Sequence, residues 1–492
     1  MEKYIITIDL GTTNIKVGLY NLDLKELSMS SLTVQYITNG NRVEFDPEEY
    51  WAVCLRCFQS VIDTAVIDPK HIVTISFTGQ AESLIVLDTN LAPLRNGISW
   101  MDSRSVEECE ILKSSFDIQK GYHITGQADI IPTWPITKML WMKRNEENVF
   151  KKAYRYLLLK DFIIFRLTGK LVAEYTVYNF SYYLDVRKKQ YWTDILDFVG
   201  VKTDQLPALI EPGESVGIVK QDIARRLSLS EEVTVNSGAL DHFAGMIGTG
   251  NIKEGIISET TGTVLAIATM VQQIKINEYN IPCQYNAIKN TYVLMPVCES
   301  GGVSLEWFKN NFFSDKDFNY LNKEIAKTMH NANEVIFLPY LTGTNSPEFD
   351  VKARGVFYGL TINHTKIDMA RAVMEGVTFL LKKNIALLEK MNIKIDNLIS
   401  LGGGAKSAIW NQMKADATGK NICIPEYEEA TSLGAAILGA VASGLVGSIQ
   451  EAVGKWVKMK QVYTPENQGL YTDSYNKFID IYERLTPIFH TA

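Results

Sequence analysis

The sequence predicts an α/β protein made of two similar domains that face each other across a cleft. Three observations lead to this prediction. The chain has 492 residues, which is too long for one hydrophobic core and suggests two or three domains. Segments with strand-like and helix-like patterns follow one another along it. A strand, a turn rich in Thr and Gly and a second strand occur in the first 20 residues and again over residues 256–267.

The first 20 residues have the pattern of a β-hairpin. Apolar residues lead into Asp9 and continue after a short bend. Four residues form the predicted bend: Gly11, Thr12, Thr13 and Asn14. Gly11 allows close approach of the backbone, and the Thr hydroxyls with successive N–H groups can receive an anion. Asp9 can hold a divalent cation that accompanies phosphates, and Lys16 adds a positive charge. An ordinary Gly-Thr turn is the alternative interpretation.

Two polar turns follow strands in the first half. The strand at 72–77 leads into a turn that contains Gln80 and Glu82, and a later segment places Trp100 and Asp102 ahead of a helix. Polar groups at the carboxyl ends of strands lie where α/β folds bind ligands, and a Trp ring can pack on a carbon skeleton. A satisfied surface turn is the alternative for the first segment, and a helix N-cap is the alternative for Asp102.

A further candidate site lies at the start of a helix of small residues. A short strand ends at Asn236, and Asp241 and His242 begin the helix. The helix dipole stabilises a carboxylate at this position as the anion, typically by about 0.3–1 kcal/mol. Asp241 is therefore either a helix cap or a base that stays ionised at neutral pH.

The opening pattern returns in the second half. Glycines near residue 250 make a natural boundary, so we expect one domain over residues 1–247 and another over 248–492. Each half would then present a phosphate-binding hairpin to the cleft. Later, three glycines at 402–404 follow a strand and start a helix, which suits a flat heterocycle lying against bare backbone with Asn411 near its rim. A plain Gly-rich turn is the alternative.

Composition limits the compartment and the partners. Lys and Arg number 49 and Asp and Glu 56, a net charge of −7 without a basic cluster, which argues against a nucleic-acid or membrane-surface partner. The six Cys are scattered and no secretory leader precedes the first strand, so we expect reduced thiols and a cytoplasmic protein. The uncharged run at 430–450 is long enough to span a bilayer. Because it consists mostly of Ala, Gly and Ser, we expect a closely packed buried helix instead.

Two longer motifs resemble the signatures of a known family. One is Gly355-x-Phe-x-Gly-Leu, seven residues, then Asp368-Met-x-x-Ala-Val-Met-Glu. The other is Pro135-x-x-Lys-Met-x-Trp-Met-x-Arg-Asn, with Thr133 where the family usually has another residue type. Together with the stretches above, they make the chain resemble the FGGY carbohydrate kinases, a branch of the actin, hexokinase and heat-shock-chaperone ATPase superfamily. The resemblance covers nearly the whole chain and implies two actin-like (ribonuclease H-like) ATPase domains with an interdomain cleft.

The resemblance also implies a function and a set of site residues. The expected reaction is ATP-dependent phosphorylation of a hydroxyl of a small sugar or polyol, with Asp241 as the catalytic base. By position, Asp9 and Asp241 are the expected Mg²⁺ ligands. The expected nucleotide-binding residues are Gly11, Thr12, Thr13, Lys16, Thr260, Thr261, Gly262, Thr263, Gly302, Gly402, Gly403, Gly404, Ala405 and Asn411. The expected substrate-binding residues are Gln80, Ala81, Glu82, Trp100, Asp102, Asp241 and His242.

Two departures from the family pattern bear on the prediction. The second phosphate turn is commonly Leu-Gly-Thr-Ser-Gly, whereas here Glu259 brings a charge near the phosphates. Ala81-Glu82-Ser83 stands where xylulokinases have Met-His-Gly and glycerol kinases have Arg-Glu-Thr. The best interpretation of the substrate is D-xylulose or a related ketose, and glycerol, erythritol, gluconate, L-fuculose and L-xylulose are the alternatives. The family resemblance is the only reason to expect a homodimer.

Other classes of protein fit the sequence less well. An actin-like ATP switch that phosphorylates no small molecule would not need Asp241 or the polar turns at Gln80 and Asp102. A Rossmann dehydrogenase would carry Gly-x-Gly-x-x-Gly after its first strand, which is missing here. A P-loop kinase is excluded because no Gly-x-x-x-x-Gly-Lys-Ser/Thr occurs.

Overall fold

The first half of the chain contains one large sheet, a smaller five-stranded sheet and several helices. A computed structural model describes residues 2–329 and 333–491. The elements of the first half are β1 (Tyr4–Leu10), β2 (Asn14–Asn21), β3 (Glu26–Thr33), β4 (Ile37–Asn39), β5 (Arg42–Phe45), α1 (Pro47–Ala65), β6 (Ile72–Gly79), β7 (Leu84–Leu87), β8 (Gly97–Ile98), α2 (Val106–Ser115), α3 (Ile118–Thr125), α4 (Pro135–Asn145), α5 (Glu147–Lys152), β9 (Arg155–Leu158), α6 (Leu159–Thr168), β10 (Val172–Glu174), α7 (Tyr175–Tyr178), β11 (Leu184–Asp185), β12 (Gln190–Tyr191), α8 (Thr193–Val199), β13 (Ala208–Ile210), β14 (Ser215–Ile218), α9 (Gln221–Arg226), β15 (Thr234–Asn236) and α10 (Asp241–Thr249).

The second half is built around another large sheet. Its elements are β16 (Gly255–Thr261), β17 (Leu265–Val271), β18 (Cys283–Tyr285), β19 (Tyr292–Leu294), β20 (Val297–Cys298), α11 (Val303–Phe312), α12 (Phe318–Ala326), β21 (Ile336–Leu338), β22 (Val356–Tyr358), α13 (Lys366–Lys390), β23 (Ile395–Leu401), α14 (Gly402–Ala405), α15 (Ala408–Thr418), β24 (Asn421–Pro425), α16 (Ala430–Ala442), α17 (Ile449–Trp456), β25 (Met459–Tyr463) and α18 (Thr472–Thr491).

The two large sheets share one arrangement of strands. The first has the order β3-β2-β1-β6-β15-β14, with β1 antiparallel to β2 and parallel to β6. The second has the order β18-β19-β17-β16-β23-β24-β25, with β16 antiparallel to β17 and parallel to β23. In each sheet a central hairpin is followed by two parallel strands and an antiparallel edge strand. The predicted repeat of one α/β fold is therefore confirmed.

The central strand of the first hairpin is apolar because both of its faces are covered. All residues of β1 are buried except Asp9, which is partly exposed and lies near the carboxyl end of the strand. A strand that is buried on both faces usually has a nearly continuous run of apolar residues, as the Ile-rich segment of β1 has. The partly exposed Asp9 thus stands at the end of the strand where the bend begins.

Helices α10 and α16 pack closely between the halves. A Cβ at Gly434 would lie 1.8 Å from the carbonyl oxygen of Ala244, and a Cβ at Gly248 would lie 1.9 Å from that of Ala430. The helix α16 also packs against β1 and β6 of the first sheet. The prediction of a closely packed buried helix in the uncharged run is confirmed. Within residues 2–329 and 333–491, every helix is too short or too polar for a membrane span.

The two halves of the sequence do not correspond fully to two separate units in the structure. The predicted boundary between residues 247 and 248 falls at the end of α10, and β16 begins at Gly255. Although α16 lies far along the second half, it covers part of the first sheet. Helix α10 from the first half and helix α16 from the second therefore pack against each other between the two halves.

Candidate active site

The bend of the first hairpin is fixed by side chains from neighbouring elements. A Cβ at Gly11 would lie 2.7 Å from the carbonyl oxygen of Asn14, so the bend requires glycine. The Gly11 carbonyl accepts hydrogen bonds from the Tyr50 hydroxyl at 3.1 Å and from Nε2 of Gln80 at 3.2 Å. Nε1 of Trp100 donates to the Thr12 hydroxyl at 3.0 Å. Two predicted substrate residues, Gln80 and Trp100, thus hold the first predicted phosphate turn.

Asp102 is occupied by neighbouring groups. Its carboxylate is fully buried, forms an ion pair with Arg104 at 2.6 Å and accepts the backbone N–H of Val43 at 2.6 Å. The N-cap of α2 is Ser105, so the alternative interpretation of Asp102 as the cap of that helix is wrong. In this conformation Asp102 supports the loop that carries Trp100. Its predicted contact with a substrate stays a prediction.

Glu82 has a carboxylate oxygen that no group in the described part of the chain binds. The residue adopts φ +70°, a conformation that non-Gly residues rarely hold, and its Oε2 is buried. Burial raises the pKa of Glu82 to about 7, although the positive charge of Lys138 opposes the shift. Burial lowers the pKa of Lys138 to about 8, and its ammonium donates to the carbonyl oxygen of Ser99 at 2.8 Å. A buried acceptor without a partner is what a polar ligand would satisfy.

The charge of Asp241 acts on the ionisation of Asp9. Burial and the negative charge of Asp241 raise the pKa of Asp9 to about 7, and the positive charge of Lys16 opposes this shift. Asp241 is the first residue of α10, and its Oδ1 accepts the backbone N–H of His242 at 2.6 Å. Asp241 is partly exposed and the His242 side chain is exposed. Both predicted positions therefore open onto the cleft.

One cavity joins Asp241 to the second half. It has a volume of about 270 Å³ and is lined from both sides of the cleft. The lining residues that matter here are Asp241, His242, Thr260, Leu401, Gly402 and Thr431. The Thr431 hydroxyl lies 3.5 Å from Oδ2 of Asp9. The predicted base, the predicted metal ligand and the second predicted phosphate turn are thus brought together.

A second cavity lies beside the glycine turn. Its volume is about 460 Å³. Of the predicted nucleotide residues, those that line it are Thr261, Gly262, Thr263, Gly302, Gly403 and Gly404. A Cβ at Gly302 would lie 2.7 Å from the carbonyl oxygen of Gly262, and a Cβ at Gly404 would lie 2.7 Å from Cβ of Thr261. Glycine at these two positions lets three turns approach each other closely, which leaves exposed backbone along the cavity.

Several predicted nucleotide residues have protein partners. The ammonium of Lys16 pairs with both carboxylate oxygens of Glu429, at 2.9 and 2.7 Å. The carbonyl oxygen of Ala405 accepts from Nδ2 of Asn411 at 2.8 Å. The predicted position of Asn411 at the rim of the turn is corrected, since its side chain is buried behind the turn and supports the backbone from there. The exposed Thr13 lies at the bend itself, where its carbonyl oxygen accepts the N–H of Val34.

The expected charge of Glu259 near the phosphates is also corrected. Glu259 is fully buried beneath the second turn, and Oε1 accepts from the ammonium of Lys414 at 2.5 Å. Its Oε2 accepts from the Thr261 hydroxyl at 2.7 Å, and Ser400 donates to Oε1. The buried Glu259–Lys414 pair is locally neutral. It ties β16, β23 and α15 together under the turn.

Two polar residues that line the larger cavity are not among the expected nucleotide-binding residues. Ser407 caps α15 and its hydroxyl donates to Oδ1 of Asn322 at 2.8 Å, so that both side chains lie at the cavity wall. A serine before a helical pattern is a readable cap signal, and Ser407 could have been found on that basis. Asn322 belongs to α12, 85 positions away, and carries no local signal.

In the described part of the chain, these cavities have no metal site built from protein side chains alone. Among residues 2–329 and 333–491 there is no group of three or more His, Cys, Asp or Glu side chains placed to hold a metal ion. Mg²⁺ usually binds through one or two carboxylates together with substrate phosphates and water. Asp9 and Asp241 fit that donor set, because the two carboxylates lie close enough for the charge of Asp241 to raise the pKa of Asp9.

Comparison with known proteins gives a consistent result over the whole chain. Residues 4–248 match the FGGY family of carbohydrate kinases, N-terminal domain, and residues 256–443 match its C-terminal domain. A xylulose kinase of Staphylococcus epidermidis is 30% identical over 489 residues, covering 99% of this chain and 97% of the relative.

Solved structures agree with this result. A ligand-bound xylulose kinase from Lactobacillus acidophilus has a TM-score of 0.92 at 30% identity, with 99% of both chains covered. A gluconate kinase from the same organism has a TM-score of 0.91 at 30% identity, covering 99% of this chain and 98% of that one. The predicted fold of two actin-like ATPase domains with a cleft between them is confirmed.

Proposed function

The chain belongs to the FGGY family of carbohydrate kinases, and on this premise we propose that it phosphorylates D-xylulose, or a closely related neutral ketose, with Mg²⁺·ATP. The protein is a sugar phosphotransferase, and carbohydrate kinases use ATP as the phosphoryl donor. What we propose beyond this is the identity of the sugar, the use of Mg²⁺ and the roles of individual residues.

One observation carries the proposal. The cavity of about 270 Å³ contains both Asp241 and Thr260 of the second turn, with Gly402 at the same wall. Phosphoryl transfer depends mainly on the alignment of the acceptor hydroxyl with the γ-phosphorus and on neutralisation of the phosphate charge. A carboxylate base and a phosphate-binding turn in a single cavity support that alignment. The glycine-walled cavity of about 460 Å³ next to it is of a size to take the nucleoside.

In the proposed mechanism Asp241 accepts the proton of the sugar hydroxyl as the hydroxyl oxygen attacks the γ-phosphorus of ATP. The bond from the γ-phosphorus to the bridging oxygen breaks, and ADP leaves with the bonding electrons. The backbone N–H of His242 holds one oxygen of the Asp241 carboxylate and leaves the other for the substrate. Asp9 and Asp241 would hold Mg²⁺, since a divalent cation offsets the burial of the Asp9 carboxylate and its repulsion by Asp241, the two main causes that raise the pKa of Asp9. When bound, Mg²⁺ neutralises part of the negative charge of the triphosphate.

The charges around the substrate end of the cleft favour a neutral sugar. The Asp241 carboxylate is within electrostatic reach of both Asp9 and Glu82. Of the nearby cations, Lys138 is buried and donates to the Ser99 carbonyl while it offsets the charge of Glu82, and Lys16 is paired with Glu429. A sugar acid would bring a further negative charge into this site, whereas the hydroxyls of a ketose can donate hydrogen bonds to Oε2 of Glu82. This argument favours D-xylulose over gluconate.

A substrate panel tests the proposal directly. ADP release with Mg²⁺·ATP is measured for D-xylulose, L-xylulose, D-ribulose, L-fuculose, D-gluconate, glycerol and erythritol, with a blank without sugar. We expect the highest kcat/KM for a neutral ketose, with D-xylulose first, and a value for D-gluconate at least about 100-fold lower, a difference of about 2.7 kcal/mol. A preference for D-gluconate would contradict the charge argument. ADP release that no sugar accelerates, together with no saturable sugar binding, would favour the ATP switch.

Binding of the metal–nucleotide complex is expected to depend on pH through Asp9. The pKa of Asp9 is raised to about 7, so the carboxyl is mostly protonated at pH 6 and mostly ionised at pH 8. Only the ionised form can ligate a cation, and the affinity should therefore rise with pH across this range, by about 10-fold from pH 6 to pH 8. Calorimetric titration with Mg²⁺ and a non-hydrolysable ATP analogue measures the affinity and the protons released. The Asp9→Asn variant shows how much of the pH dependence comes from titration of the nucleotide itself. If the affinity rises equally with pH in both proteins, Asp9 is not the group that controls binding.

Other expectations about the protein stay predictions. They are the cytoplasmic location, the homodimer and the lack of nucleic-acid and membrane partners. The net charge of −7 is the observation that supports the last of these.

A further inference from the structure

The position of Asp241 depends on the loop that precedes it. This loop, residues 237–240, leaves the first sheet after β15 and delivers Asp241 to the start of α10. The backbone N–H of Leu240, the residue directly before Asp241, donates to the Thr176 hydroxyl at 2.8 Å. The contact comes from α7, which is distant in sequence from the loop. Thr176 therefore fixes the backbone one residue away from the proposed base.

Thr176 is part of a buried polar network. Its hydroxyl donates to the Glu174 carboxylate, whose oxygens lie 2.8 and 2.7 Å away. Oε1 of Glu174 accepts from the ammonium of Lys160 at 2.5 Å, and the same ammonium donates to the Ser237 carbonyl at 2.9 Å. All three side chains are buried. The network therefore holds the loop at both of its ends, at Ser237 and at Leu240.

The polarity of the Thr176 hydroxyl is set by this arrangement. Its hydrogen is directed to Glu174, and a lone pair accepts the N–H of Leu240. A serine hydroxyl can make the same two bonds, whereas the methyl group of valine can make neither. Replacement by valine would leave a buried backbone N–H without an acceptor, and the loop would have to move to find another.

The opposite side of the loop is held by the first sheet. Gly238 has φ +61°, and a Cβ there would lie 1.8 Å from the carbonyl oxygen of Phe77, so this position requires glycine. The N–H of Ala239 donates to the same carbonyl at 3.2 Å, and the Gly238 carbonyl accepts the N–H of Gly213 at 2.8 Å. The loop is thus clamped between β6 and the Lys160–Glu174–Thr176 network.

A buried ion pair is not needed for stability alone. Removing two charges from water carries a desolvation penalty, and well-packed apolar residues often stabilise a core equally well. The Lys160–Glu174 pair does something that apolar residues cannot do, since it binds a backbone carbonyl and orients a hydroxyl at defined points of the loop.

We propose that Lys160, Glu174 and Thr176 are positioning residues that set the backbone of the 237–240 loop and thereby the placement of the Asp241 carboxylate in the cleft. The inference rests on the proposed role of Asp241 as the base. None of the three residues touches the substrate in this role. They act on the rate of transfer through Asp241, and binding of ATP and sugar is left nearly unchanged.

Thr176→Val, Thr176→Ser and a matched control test the inference. Thr176→Val is expected to lower kcat about 10- to 50-fold, with both KM values within about 2-fold of wild type, because misplacement of a catalytic group affects the transition state. Thr176→Ser is expected to restore kcat to within about 3-fold. Thr249→Val is the control, since Thr249 is a buried threonine at the far end of α10 whose hydroxyl donates to the Gly245 carbonyl. Its kcat should stay within about 2-fold of wild type. Circular dichroism and thermal unfolding establish that each variant is folded.

A double variant separates this inference from the proposed function. In the Asp241→Asn background, Thr176→Val should change the residual rate by less than about 2-fold, because a residue that acts through Asp241 has nothing left to position. An equal fold-loss in both backgrounds would overturn the inference. Wild-type turnover by Asp241→Asn alone would overturn the proposed base. Loss of turnover by Asp241→Asn with full kcat in a folded Thr176→Val would overturn the inference only.

A second variant covers the case in which Thr176→Val does not fold. Glu174→Gln keeps the size of the side chain and an acceptor oxygen but removes the charge that binds Lys160 and Thr176. It is expected to lower kcat about 3- to 10-fold with unchanged KM values. A folded Glu174→Gln protein with wild-type kcat would overturn the inference.

Discussion

Replacing Asp241 with Asn is expected to lower kcat by about 10²–10⁴-fold while both substrates still bind. The loss corresponds to about 3–5 kcal/mol of transition-state stabilisation. Asn has nearly the same shape as Asp and can still accept the N–H of His242, but it cannot accept the proton of the sugar hydroxyl. The change therefore removes the chemistry of the side chain and preserves its place at the start of α10.

The measurement combines turnover with binding. ADP release is followed with and without the preferred sugar, and calorimetry gives the affinity for each substrate. Asp222→Asn is a suitable control, because Asp222 is an exposed carboxylate in the first turn of α9 in the same half. It should leave kcat unchanged. Sugar-dependent turnover at the wild-type level in Asp241→Asn would rule out Asp241 as the base.

Of the variants proposed for this protein, Lys414→Met is expected to lower the free energy of unfolding the most. The ammonium of Lys414 is 2.5 Å from a carboxylate oxygen of Glu259, and both side chains are buried. Met fills most of the volume of Lys but leaves the Glu259 carboxylate buried without a counter-ion. Breaking a buried pair in this way typically reduces the free energy of unfolding by about 3–5 kcal/mol. The KM for ATP should also rise, since Thr261 at the nucleotide cavity is bonded to both partners.

A compensated variant distinguishes charge burial from packing. With Glu259→Leu added to Lys414→Met, no uncompensated charge remains, and most of the lost stability should return. Chemical denaturation measures the unfolding midpoints of the single and double variants. Lys151→Met removes the lysine of an exposed pair with Glu147 and should not shift the midpoint measurably. A single Lys414→Met protein as stable as wild type would contradict the assignment of the pair as buried and ionised.

The parts of the fold that local sequence controls were predictable. The Gly-Thr bend at residues 11–14 and the start of a helix at Asp241 follow from the backbone freedom of glycine and from the preference for an acidic residue in the first turn of a helix, which act over a few residues. The relation between the two halves followed because β1–β2 and β16–β17 carry the same strand and turn pattern. Such patterns need no knowledge of distant contacts.

The parts that tertiary contacts control were not predictable. The charge of Glu259 was expected near the phosphates, but Lys414, 155 positions later in the chain, neutralises it. Asn411 was expected at a rim, yet the carbonyl of Ala405 draws its amide behind the turn. Gln80 binds the bend at Gly11, 69 positions earlier. In each case a local pattern identifies a polar residue, whereas the partner that decides its orientation comes from another element.

The packing of α16 on the first sheet also affects how the protein is made. The face of β1 and β6 that α16 covers, which meets Gly439 with Ile5, Thr74 and Ser76, stays uncovered on the ribosome until residues 430–442 have emerged. Synthesis proceeds at about 5–20 residues per second, so the nascent first half waits on the order of ten seconds or more for its last helix. During that interval the uncovered face of the sheet is accessible to chaperones and to other nascent chains. The first half is thus completed late, by a segment encoded near the other end of the gene.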